Sequence, residues 1–99
     1  MSRRRFDELV EDSIGGPVTS GVMFGGRGLR TGKLFFAVWW GDRLIVKLPP
    51  DRIEALTVAG QGREYVATGN RPMKNWAELD ENADWSAVCA AARAFVESA

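Results

Sequence analysis

A chain of 99 residues, 45% hydrophobic and 26% charged, has the composition of one globular domain, and can bury about two-thirds of its unfolded surface. Its 13 Lys and Arg offset 13 Asp and Glu, which argues against a dedicated nucleic-acid binder, since such domains carry a basic excess. The single cysteine excludes an internal disulfide and no apolar run reaches the roughly 18 residues of a membrane span, so one cytoplasmic domain over residues 1–99, without membrane contact, is expected.

In chain order, Phe6, Leu9, Val10 and Ile14 fall on one helical face, with Ser2 as a fitting N-cap and Gly15-Gly16-Pro17 as a stop signal. The triplet Arg3-Arg4-Arg5 meets acidic residues at once, which suits a solvated first turn. No apolar core follows it, so a signal peptide is not expected. Residues 18–24, 34–40 and 44–48 are rich in β-branched and aromatic residues and read as strands, the last two joined by the two-residue turn Gly41-Asp42. Pro49-Pro50-Asp51 then opens a short helix carrying Ile53 and Leu56 and stopped by Gly60. Strands over 63–68 and 73–79 follow, linked by Gly69-Asn70-Arg71-Pro72. Asp84 caps a last helix whose Trp85, Val88, Cys89, Ala92, Phe95 and Val96 share a face. The order α-β-β-β-α-β-β-α predicts an α+β, two-layer domain: an antiparallel sheet with helices packed on one face.

Between the first two strands lies a run of glycines, Gly25, Gly26, Gly28 and Gly32. A phosphate-cradling loop would need a helix directly after it, with its N-terminus facing the phosphates. Here a strand-like run of apolar residues, 34–40, follows instead. The glycines therefore read as a hairpin bend, placed where positive φ is needed, and no bound cofactor is expected.

The stretch Met23-Phe24-Gly25-Gly26 with Gly28, then Gly32, Phe36-Ala37, Leu44 and Lys47, resembles the opening motif of the TfoX N-terminal domain family. The likeness continues through Gly60 to Gly69-Asn70-Arg71-Pro72-Met73-Lys74 and Trp76, covering about residues 5 to 97. The resemblance implies a secretion-chaperone-like α+β fold in which Met23, Phe24, Gly25, Gly26, Gly28, Met73 and Trp76 are structural motif residues. It also implies a regulatory module without catalytic residues, similar to the N-terminal domain of bacterial competence regulators. The C-terminal domain of those regulators is not expected here, and Arg27 departs from the aromatic residue that relatives often carry.

Catalytic constellations are scarce. Histidine, the commonest general base and metal ligand, is missing from the sequence. The carboxylate pairs Asp7-Glu8, Glu11-Asp12 and Asp80-Glu81 read as surface groups, and Cys89 as a core residue within its helical stripe. Neither an enzyme nor a metal protein is expected. Arg27, Arg30 and Lys33 cluster on the glycine-rich bend and form a candidate anion patch, which keeps a nucleic-acid-associated regulator open as an alternative, beside a small-ligand binder or an enzyme of unknown reaction.

The turn at Gly41-Asp42 sets a register in which Trp40 faces Arg43, Val38 faces Ile45 and Phe36 faces Lys47. Phe35, Ala37, Trp39, Leu44, Val46 and Leu48 then share an apolar face suited to the helices. The opposite face carries Leu34, Phe36, Val38, Trp40 and Ile45, with Arg43 and Lys47 as its charges, and is too apolar for water. A candidate interaction surface follows: Phe36, Val38, Trp40 and Ile45 as anchors and Lys47 as the polar contact, serving a protein partner, with a homodimer among the expected forms.

Overall fold

The first apolar stripe forms α1 (Arg3–Ser13), whose Phe6, Leu9 and Val10 are buried. Ile14 lies beyond the helix end and is 45% exposed, so it leaves the stripe on which it was expected. The computed structural model describes residues 3–23, 25–40, 43–67 and 71–98, with backbone alone at 67, 71 and 72. The expected cap at Ser2, the motif residue Phe24, the turn Gly41-Asp42 and the link at Gly69-Asn70 lie outside the described residues.

After α1 come β1 (Val18–Met23), β2 (Gly26–Thr31), β3 (Leu34–Trp40) and β4 (Arg43–Lys47). Next are α2 (Pro50–Val58), β5 (Gly62–Ala67), β6 (Arg71–Leu79) and α3 (Trp85–Glu97). Pro50 and Asp51 occupy the first turn of α2, and the Asp84 side chain caps α3 by accepting from the Ala87 amide at 3.1 Å. Among the described residues the strands form one antiparallel sheet of six, in the order β1-β2-β3-β4-β6-β5.

The fold is the expected α+β class, with one strand more than the periodicity suggested. The glycine-rich stretch is not only a bend, because its middle is β2. Gly25 and Gly32, with φ of +78° and +59°, flank that strand where the chain reverses. Within it, a Cβ on Gly26 would stand 2.2 Å from the carbonyl oxygen of Trp39, and one on Gly28 would stand 2.9 Å from the Phe35 ring. These glycines are fixed by what lies across from them, not by loop chemistry.

All three helices supply residues to one core. Phe6, Leu9, Ile53, Trp85, Cys89 and Val96 pack there against Leu29, Ala37, Trp39, Leu44, Val46 and Leu79 of the sheet. Phe6 stacks on Trp39 with centroids 5.5 Å apart, and Trp39 meets Trp85 at 6.1 Å. Arg5 fastens α1 to the α3 end of the domain. Its guanidinium lies 4.0 Å over the Trp85 ring and donates to the Glu81 and Ala83 carbonyls at 2.6 and 2.8 Å. Arg3 and Arg4 keep to the surface, within 4.0 and 3.6 Å of Asp7 and Glu8.

The β3–β4 register pairs Trp40 with Arg43 and Val38 with Ile45, as the turn predicts, and ends at Ala37 with Val46. On its other side β3 is irregular: Leu29 pairs with Ala37 but Arg30 pairs with Phe35, so Phe36 is an extra residue. This bulge reverses the expected facing of the two phenylalanines. Phe36, 2% exposed, joins the helix-side core, while Phe35 lies on the opposite face, its ring beside Gly21 and Gly28.

Candidate functional site

The sheet face turned away from the helices has its own small core, built from strand residues. Val38, Ile45, Tyr65 and Trp76 are buried there, with Met23, Phe35 and Met73 packed against them. The expected anchors are therefore corrected. Phe36 belongs to the other face, and Val38 and Ile45 are wholly buried under neighbouring side chains of the same chain. Side chains of the strands themselves supply this cover, without a helix. Of the five residues proposed from sequence, Trp40, 38% exposed, and half-buried Lys47 still reach solvent.

Charge rims this face. Glu78, 9% exposed, accepts from Arg43 on β4 at 3.0 Å and from Arg63 on β5, and Arg63 also donates to Asp80 at 2.9 Å. Strand pairing dictates the arrangement, because Glu78 stands opposite Ile45 on one side and Arg63 on the other. A nearly buried carboxylate between two guanidiniums is well satisfied, and losing either partner would cost more than an exposed pair would.

A cleft of about 420 Å³ opens beyond the point where β3 and β4 stop pairing. Its walls include Met23, Phe35 and Trp76 from the strands and Phe95 and Val96 from α3. Its polar members are Lys33, Lys47 and Asn75. The Lys47 ammonium sits 5.6 Å from the Trp76 ring centre, and Leu48 donates to the Asn75 carbonyl at 2.9 Å. Asn75 holds φ at +69°, the left-handed region that few side chains adopt, and its side-chain Oδ1 is buried without a hydrogen-bond partner.

The candidate anion patch is dispersed. Arg27 lies 3.6 Å from Asp7 of α1, Arg30 donates to Thr19 at 3.2 Å and sits 5.9 Å from the Phe35 ring, and Lys33 borders the cleft. Met23, Met73 and Trp76 meet in the strand-built core, and Gly28 admits the Phe35 ring that packs there. On the helix side, a groove of about 450 Å³ between α1 and α3 reaches Cys89. Burial pushes that thiol up to about 12. At the end of α3, Glu97 accepts from Thr31 at 2.7 Å and Arg93 at 2.9 Å, and these hydrogen bonds, Thr31's foremost, hold its carboxyl below the usual value. Sequence reasoning missed Asn75 and the Arg43–Glu78–Arg63 cluster. Asn75 lies in a stretch read as plain strand, and the cluster's members are spread over three strands.

Among the described residues, no helix is long and apolar enough to cross a membrane. The family model described as TfoX N-terminal domain matches residues 8–95. No curated protein matches the chain.

Proposed function

The chain belongs to the TfoX N-terminal domain family, and from that premise we propose that it is a non-catalytic binding module that meets a protein partner through the sheet face opposite its helices. One observation carries this reading: motif residues far apart in sequence, Met23, Met73 and Trp76, assemble the core beneath that face instead of the helix-side core. Other residues of the likeness, Phe36, Ala37 and Leu44, enter the helix-side core, but Met23, Met73 and Trp76 build a face that no helix residue of either core covers, which suits a surface kept for recognition. Above it, exposed Trp40 pairs with Arg43, and the Arg43–Glu78–Arg63 cluster borders it with charge. Aromatic residues and arginines over a polar rim are the anatomy of a contact surface. The unpaired, buried Cys89 suits work in the reducing cytoplasm, as a regulatory domain would do.

The test compares the natural sequence with Trp40→Asp as baits for affinity capture, beside sedimentation of each protein alone. Trp40→Asp is expected to keep the circular-dichroism spectrum and to lose a partner, or self-association, that the natural sequence shows. Equal association by two folded proteins would remove this face as the contact surface.

A further inference from the structure

The cleft at the end of the β3–β4 pairing carries an inference that goes beyond the partner contact and does not use Trp40. We propose that it is a binding site for a small organic carboxylate with an apolar body. Its volume, about 420 Å³, falls in the range of small-molecule sites, which are mostly apolar with a few placed polar groups. Phe35, Trp76 and Phe95 supply the apolar walls, and Lys33 and Lys47 supply positive charge at the same cleft.

Three features favour an anion with an apolar body over a bare ion. Among the described residues neither lysine has a carboxylate partner, whereas Arg43 and Arg63 on the neighbouring strands are committed to Glu78. Lys47 is held near the Trp76 ring, so its charge lies against an apolar wall where an anion would be less screened than in bulk water. The cleft's remaining polar side chain, Asn75, offers a buried amide oxygen that lacks a donor. A buried acceptor left unpaired is unfavourable, and a turn of the Asn75 amide toward the cleft would let a ligand hydroxyl placed beside the carboxylate supply the missing hydrogen bond. Inorganic phosphate fits poorly, since it would leave the aromatic walls unfilled. Asn75 also holds its backbone in the left-handed region, and strain of that kind gathers at ligand sites.

The probes are 3-phenylpropanoate, its primary amide, 2-hydroxy-3-phenylpropanoate and inorganic phosphate, each titrated into the natural sequence and followed by amide NMR. The acid is expected to give saturating shifts at Lys33, Leu34, Lys47 and Trp76 with a dissociation constant below about 1 mM. The neutral amide should bind at least about tenfold more weakly, and the hydroxy acid more tightly than its parent. The Lys33→Met/Lys47→Met double variant should lose at least about tenfold in affinity for the acid, and Asn75→Gly, which suits a left-handed backbone, should lose the hydroxyl's advantage. The proposal is overturned by shifts that do not saturate, by equal binding of acid and amide, or by phosphate matching the acid at the same residues. The comparison among probes uses the natural sequence, so it decides the matter even if a variant fails to fold.

Discussion

Cys89 shows how far a single side chain can be understood from its surroundings. It lies in the stripe that packs α3 on the sheet, 3% exposed, and burial lifts its thiol from 9.0 to about 12. Less thiolate at neutral pH and little access should make alkylation of the native protein far slower than that of the denatured chain, and timed labelling with mass detection checks this. Glu97 is the opposite case, because hydrogen bonds from Thr31 and Arg93 favour its charged form. Its folded pKa lies below the unfolded one, so the contact stabilises fully above the ordinary value of 4.5 and is lost as pH falls through the lowered value. Thr31→Val should move the Glu97 midpoint back toward 4.5 in a carboxyl NMR titration. At Gly26, a Cβ would meet the Trp39 carbonyl at 2.2 Å, and backbone cannot swing aside as a side chain can. Gly26→Ala should destabilise by about 2–3 kcal/mol, read as a lower denaturation midpoint. The burial of Cys89 was legible in sequence because helical spacing points at the core. The role of Arg5 was not, since its acceptors are backbone carbonyls 76 and 78 residues away.

Among the elements, β3 is where period-two reasoning meets its limit. Alternation placed Ala37, Trp39, Leu44 and Val46 on the helix side, and they are there. It put Phe35 and Phe36 on the wrong faces, because a bulge adds one residue and two adjacent phenylalanines give no pattern by which to see it. Their truncations separate the two arrangements. Phe36→Ala should cost about 3–5 kcal/mol in chemical denaturation, and Phe35→Ala clearly less, since Phe35 is only half-buried. A regular strand would reverse that order. β2 stayed hidden for a related reason. Glycine is a poor strand former, and what keeps this stretch extended is its pairing with β1 on one side and β3 on the other. Lys33 and Lys47 were singled out on separate grounds, one for an anion patch and the other for a contact face. They share a cleft because β3 and β4 part after Ala37 and Val46, a point that residue spacing does not encode.

At the scale of the molecule, class and layering were readable because every element but β2 carries its own start and stop signals and each helix one apolar stripe. The cover over the second face was not readable, since it comes from side chains of strands whose neighbours the sequence does not name. Those neighbours carry a consequence for how the chain folds. Each strand pairs with its neighbour in sequence except at one seam, where β4 meets β6 and Leu44 stands opposite Leu79. Closing that seam means bringing α2 and β5 round as a loop before any contact rewards it, and such non-local pairing slows folding. The β1–β4 meander and the β5–β6 hairpin can form from nearby residues, so their docking along the seam should be the rate-limiting event. Val46→Ala, at the seam opposite Ala77, should then slow refolding in stopped-flow measurements. Val18→Ala, on the outermost strand, should chiefly speed unfolding, and equal effects on both rates would mean that the sheet assembles from another place.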